Sequence, residues 1–180
     1  MNLSIACVAT DRSRPIAAGD IKVEGYQLDF TFGEPETIFR TALQDAKYDI
    51  TELSMGSHIA TTARGISTHV GVPVFPSRAF RHSGIFVRSD RGISNLGDLR
   101  GKIVGVPEFQ QTAGMWLRGM MADEFGVQSE EVTWRVGALN APGLGERMKI
   151  ELPERMDVRT VDEGQCLDKL IAAGEIDAIF

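Results

Sequence analysis

Short apolar runs and segments with helical spacing take turns along this chain, the pattern of an α/β protein whose strands are joined by crossover helices. Residues 3–9 are small and β-branched and predict a buried parallel strand. A polar loop, Asp11-Arg12-Ser13-Arg14-Pro15, follows it directly. Residues 21–32 read as a hairpin or a pair of strands turning at Glu24-Gly25. Pro35 marks a helix start, where its missing N–H costs nothing, and Ile38, Phe39, Ala42, Leu43 and Ala46 form the apolar face. Residues 48–53 predict a second short strand. Ser54 then caps a helix that Gly65 closes.

The middle of the chain holds the stretch around which the rest is organised, residues 71–83. A β-branched run (Val70, Val72, Val74) predicts a strand stopped by Pro73 and Pro76. A turn carrying Ser77, Arg78, Arg81, His82 and Ser83 follows. A strand that ends in clustered donors is how an α/β protein presents a pocket for an anion. This stretch is therefore expected to be both the floor of a ligand site and the hinge between two lobes. Beyond it, residues 84–87 continue as a strand and 96–102 as a short helix leading into a strand over 103–106. Another polar strand-end loop, 107–112, precedes a helix with Met115, Trp116, Met120 and Phe125 as its apolar positions, ended by Gly126. Strands are predicted over 132–136 and 158–161, a long loop over 137–154, a helix over 165–173 closed by Gly174, and a strand over 176–180.

One internal echo bears on organisation. Residues 43–50 and 170–178 both run from an amphipathic helix through a short turn into a strand that opens with Asp next to apolar residues. Two such units suggest two similar α/β lobes, 1–83 and 84–180, each built by right-handed crossovers. Phe180 falls inside a predicted strand, so the chain is expected to be part of something longer, with its second lobe incomplete at the C-terminus.

Composition narrows the classes. Hydrophobic residues make up 43% of 180, the net charge is -6 and the mean hydropathy is -0.08, which describes a globular protein with a real core. The acidic total and the lack of a Lys/Arg run speak against nucleic acid as a partner, and no apolar run is long enough to span a membrane. The first ten residues lack a basic n-region and read as a strand, not a signal peptide, which favours a cytoplasmic protein. Cys7 and Cys166 lie far apart with no CxxC partner, so they read as free thiols in a reducing compartment. No metal-ligand spacing and no phosphate-binding glycine motif appears, so neither a metal nor any other cofactor is expected. A homo-oligomer is compatible with the sequence.

Specific motifs then carry a resemblance. Asp98-Leu99-Arg100-Gly101-Lys102-Ile103-Val104-Gly105-Val106-Pro107 and Gly174-Glu175-Ile176-Asp177-Ala178 resemble segments of type 2 periplasmic-binding-protein folds. The loops at 11–15, 52–57, 73–83 and 106–113, with Trp116-Leu117-Arg118-Gly119, resemble the 4,5-dihydroxyphthalate decarboxylase family over essentially the whole chain. The resemblance implies a two-lobed fold of that type and a cytoplasmic, cofactor-independent decarboxylase that converts 4,5-dihydroxyphthalate to protocatechuate and carbon dioxide in an interlobe cleft. A solute-binding protein for an aromatic or dicarboxylate anion, without catalysis, is the alternative, because one anion pocket serves both.

A small aromatic dicarboxylate needs fixed cations, and Arg12, Arg14, Arg78 and Arg81 are the candidates because a guanidinium pairs a carboxylate in bidentate fashion. Ser54, Ser57, Ser77, Ser83 and Thr112 add neutral donors, and the helix start at Ser54 adds partial positive charge. Loss of carbon dioxide from the ring requires a proton at the carbon that carries the carboxylate, and a para hydroxyl that pushes electrons in. His82, Glu52 and Glu108 are the titratable groups at the right loop positions, with His82 as acid or hydroxyl partner. Each has a plainer role as its rival: surface ion pairs for the arginines, a backbone-bonded imidazole for His82, and caps or loop ion pairs for the carboxylates.

Overall fold

The strand expected at the start of the chain forms as β1 (Asn2–Cys7), the centre of a three-stranded parallel sheet in the order β2-β1-β3. The structure is a computed structural model that describes residues 1–141 and 146–180, and it divides into two units, Met1–Ala79 and Phe80–Phe180. It is an α/β protein, as the alternation of apolar runs and helical segments predicts.

In unit 1, β2 (Gln27–Phe32) pairs β1 in parallel over its full length, Asn2 opposite Gln27 and Cys7 opposite Phe32. The hairpin expected over 21–32 does not form. The polar approach folds as a turn in which the Tyr26 amide donates to Val23 O, and β2 satisfies its backbone on β1 at six paired positions. Pro15, placed in a polar loop by the sequence, instead opens a single helical turn, α1 (Arg14–Ala17), where its fixed φ suits the first turn. Helix α2 (Pro35–Asp45) buries Ile38 and Ala42 against the sheet. Strand β3 (Ile50–Thr51) is shorter than its sequence pattern suggests. Helix α3 (Met55–Ala63) starts after Ser54 and ends in a Schellman turn: Gly65, at φ +68, donates to Thr62 O while Ile66 donates to Thr61 O.

The strand expected at Val70, Val72 and Val74 is absent. Residues 64–81, all described, form no helix or strand, and Val70 is 92% exposed. Two prolines in the run remove ladder donors, and the bond from the Val74 amide to Val72 O closes a tight local turn instead.

Unit 2 holds a five-stranded sheet in the order β4-β8-β5-β6-β7, made of β4 (Phe86–Val87), β5 (Ile103–Val106), β6 (Thr133–Val136), β7 (Val158–Thr160) and β8 (Ala178–Ile179). β4 runs antiparallel to β8 and the remaining pairs are parallel. Helices α4 (Thr112–Phe125) and α5 (Leu167–Ala173) join the strands. The core gathers Leu99, Val104, Val106, Leu117, Met121 and Trp134, with Phe109 and Phe180 edge-on to the Trp134 ring. The apolar face of α4 is therefore Leu117 and Met121. Trp116, expected in the core, is 63% exposed, because the face is set by Gly114, Leu117 and Met121 at helical spacing. The expected loop over 137–154 includes 142–145, which lie outside the described residues.

The internal echo has a structural meaning. Asp49 Oδ2 accepts the Ser4 amide at 2.8 Å, one residue before Ile5 pairs Ile50. Asp177 Oδ2 accepts the Ile103 amide at 2.9 Å, one residue before Val104 pairs Ala178. The matching bonds Glu52 N to Ala6 O and Phe180 N to Gly105 O close each pairing. Each unit thus registers its central strand on the same device, and hydrogen bonds from Ser4 lower the Asp49 carboxyl below the usual carboxylate range. Among the described residues no helix is long and apolar enough to cross a membrane, and both cysteines are buried and unpaired.

Helix α5 approaches β5 closely at Gly105, where an added Cβ would stand 2.9 Å from Leu167 Cδ2 and 3.0 Å from Ile176 Cδ1. Both tryptophans lie in unit 2, so their fluorescence reports its unfolding. Gly105→Ala is expected to lower the stability of unit 2 by about 1–3 kcal/mol through overpacking. Urea unfolding followed by that fluorescence checks it; an unchanged midpoint would show that α5 yields freely.

Candidate active site

In parallel sheets the loops that leave the C-terminal ends of strands share one edge, which is where ligands are met. In unit 1 that edge carries the loops after β1 and β3. The Val8 amide donates to Glu52 Oε2 at 3.0 Å, so the Glu52 carboxylate closes the end of β1. Ser13 Oγ accepts the Thr10 amide at 2.8 Å and donates to Val8 O at 3.0 Å, folding the loop round its hydroxyl. Burial raises the Cys7 thiol above its ordinary value; the bond from Ser13 opposes this and the Glu52 charge adds to it. Ser54 and Ser57 are buried at the start of α3. Glu52, Ser54 and Ser57 are thus brought to one sheet edge. Arg12 and Arg14 leave the same edge and are exposed, Arg12 beside Asp11 at 3.7 Å. Ser77 and Arg78 lie on the irregular 64–79 segment, exposed, with Arg78 Nε donating to Phe75 O at 3.2 Å.

In unit 2 the corresponding edge is richer. Because β4 runs antiparallel to β8, its start lies at the same edge as the ends of β5 and β8. That places the helical turn His82–Gly84 there, with Arg81 half-buried and His82 and Ser83 exposed. It stands two strand positions from β5, about 10 Å at ordinary strand spacing. The loop after β5 carries Glu108, and Thr112 begins α4.

Glu108 is not free at that edge. Its side chain is 8% exposed and that of Arg147 is 4% exposed. Arg147 Nε donates to both Glu108 oxygens at 2.9 and 2.8 Å, Nη2 donates to Oε2, and Gln110 Nε2 donates to Oε2 at 3.1 Å. Next to this pair, Glu146 Oε1 accepts the Phe109 amide at 2.6 Å, and Arg118 Nη2 donates to Phe109 O at 2.8 Å. The Arg118 guanidinium lies over the Phe109 ring at 4.0 Å and over Trp134 at 5.6 Å. Burial raises the Glu146 carboxyl, while the Phe109 bond and the two arginines pull it down. Burial lowers Arg118 to about 10, against the pull of Glu146. Two carboxylates and two guanidiniums therefore share a poorly hydrated strand end. Among the described residues, no three His, Cys, Asp or Glu side chains gather as a metal would require.

No protein-family profile matches the chain. All 180 residues align at 44% identity with a 4,5-dihydroxyphthalate decarboxylase of Comamonas testosteroni and at 42% with one of Pseudomonas putida. The chain spans 54% of the first relative's length and 70% of the second's. It belongs to the 4,5-dihydroxyphthalate decarboxylase family. The family resemblance drawn from the strand-end loops is thereby borne out.

Membership of the decarboxylase family leaves the roles of individual residues to the geometry, and three members of the charged cluster escaped sequence reasoning. Arg118 had a signal: it shares the buried face of α4 with Gly114 and Met121, where a cation is out of place unless it is bonded. Glu146 and Arg147 had none, since they sit in an irregular, mixed-charge segment.

Removing one partner of a buried pair strands the other charge. Arg147→Met is expected to cost unit 2 about 3–5 kcal/mol, and adding Glu108→Leu to recover most of it. Urea unfolding of both single variants and the double variant measures this; a cost below about 1 kcal/mol for Arg147→Met would show that the pair does not organise the loop.

Proposed function

We propose that this chain acts as a 4,5-dihydroxyphthalate decarboxylase, releasing protocatechuate and carbon dioxide. The observation that carries the reading is identity of 42–44% over all 180 residues to two proteins of that name. We further propose that its two units are lobes of a type 2 periplasmic-binding-protein-like fold and that it is cytoplasmic. The shared device at Asp49 and Asp177 supports the first, and the buried unpaired thiols support the second.

The chemistry asks for two things. The carboxylate that remains needs cations, for which Arg12, Arg14 and Arg78 stand exposed in unit 1 and Arg81 half-buried in unit 2. Ser54, Ser57, Ser77, Ser83 and Thr112 are neutral donors for the same task. The carbon that loses its carboxylate needs a proton, and His82 is the proposed donor, exposed on its turn at the sheet edge of unit 2. Protonation there draws electrons from the para hydroxyl, which gives up its own proton and becomes a ring ketone. The bond to the carboxylate then breaks, carbon dioxide leaves, the electron pair restores the aromatic ring, and the ketone oxygen takes a proton back to regenerate the phenol. One proton is consumed for each carbon dioxide released. Glu52 is the second proposed proton carrier. Glu108, held by Arg147, is proposed to contribute by fixing the strand-end loop.

The full chain incubated with 4,5-dihydroxyphthalate is expected to yield protocatechuate and carbon dioxide in equal amounts. Tight binding without turnover would overturn the enzyme reading. His82→Ala and Arg81→Ala are expected to lower kcat/KM, with His82→Ala costing about 10²–10⁴-fold in kcat. Full turnover in both would reject the site assignment.

A further inference from the structure

The charged cluster after β5 contains two atoms whose bonding is unfinished. Arg118 Nη1 and Glu146 Oε2 are buried and have no hydrogen-bond partner among the described residues. Buried polar atoms in native proteins are almost always paired, so each such atom calls for an occupant. The two are also complementary. A guanidinium nitrogen only donates, and an ionised carboxylate oxygen only accepts.

Their placement is fixed by a single residue. Glu146 uses its other oxygen on the Phe109 amide at 2.6 Å, and Arg118 uses its other terminal nitrogen on the Phe109 carbonyl at 2.8 Å. The free donor and the free acceptor are thus anchored on the two polar groups of one backbone unit. The Arg118 plane is braced over the Phe109 ring at 4.0 Å. Such anchoring holds both atoms ready before a ligand arrives. Both residues keep part of their surface open, while the two unpaired atoms themselves are shielded from bulk water.

Charge decides what the occupant is. Arg118 and Arg147 balance Glu108 and Glu146, so the cluster has no surplus positive charge to hold a carboxylate. A group that donates to one atom and accepts from the other satisfies both, and that is a hydroxyl. Water can serve in its place until a ligand hydroxyl displaces it.

We propose that Arg118 Nη1 and Glu146 Oε2 form a hydroxyl subsite that takes one of the catechol hydroxyls of the aromatic acid. This rests on the decarboxylase reading, which supplies a ligand with adjacent phenol groups. The hydroxyl donates to Glu146 Oε2 and accepts from Arg118 Nη1. Such a subsite separates hydroxylated from plain aromatic acids, because an acid without the hydroxyl leaves two buried polar atoms unpaired.

The test is calorimetric titration of the full chain with protocatechuate and with benzoate, which differ only in two hydroxyls. Glu146→Gln keeps an acceptor for the Phe109 amide but turns the free acceptor into a donor, and Arg118→Lys keeps the charge but removes the fork. Each variant is expected to weaken protocatechuate binding about 10-fold or more while moving benzoate less than about twofold, as fits loss of a hydrogen bond to a charged group. Equal losses for both acids would show a merely structural role, and no loss for either would show a water site; both results overturn the subsite. A wild-type chain that turns over 4,5-dihydroxyphthalate yet binds the two acids equally overturns the subsite alone. A wild-type chain that neither binds protocatechuate nor turns over the substrate overturns the decarboxylase reading with it.

Discussion

A carboxylate and a guanidinium buried together at the end of β5 set the terms for the rest of unit 2. Glu108 and Arg147 are both almost wholly removed from water, where a lone charge would cost several kcal/mol. Their mutual bonds make burial tolerable only while the chain on both sides stays in place. The loop after β5 is therefore tied to the segment that carries Glu146 and Arg147. That tie brings Glu146 to the Phe109 amide, and Phe109 in turn receives Arg118 from α4. The aromatic core reads the same constraint from the other side, since Trp134 lies edge-on to both Phe109 and Phe180. Site and core are thus one packed assembly, and a change at the ion pair reaches both.

The two units repeat one construction. A central parallel strand is registered by an aspartate that precedes its neighbour strand, Asp49 for β1 and Asp177 for β5. The strand-end loops that follow differ in chemistry. Unit 1 places Ser13, Ser54, Ser57 and the Glu52 carboxylate there, with exposed arginines alongside. Unit 2 places the balanced quartet of buried charges there, with His82 on the neighbouring turn.

Much of this was legible in residue order. The central strands, the helix starts at Pro35 and near Thr112, and the closures at Gly65, Gly126 and Gly174 follow from local chemistry that each residue carries by itself. The echo around Asp49 and Asp177 was visible as well. What escaped depends on partners distant in sequence. Residues 27–32 have the composition of a hairpin arm, yet they pair with the distant strand β1 along six positions. Val70, Val72 and Val74 have strand propensity but no neighbour to pair with. Trp116 looks like a core residue until helix phase assigns that face to Leu117 and Met121. Glu108 stands out in the sequence as a titratable group at a strand end, whereas its partner Arg147, 39 residues on, does not.

Most of this picture turns on the proposed hydroxyl subsite at the strand end of unit 2. A crystal structure of the full chain with protocatechuate bound tests it most directly. One catechol oxygen is expected about 3 Å from both Arg118 Nη1 and Glu146 Oε2, with the Glu108–Arg147 pair intact. Ordered water at that position, with the ligand's hydroxyls bound elsewhere, would contradict it.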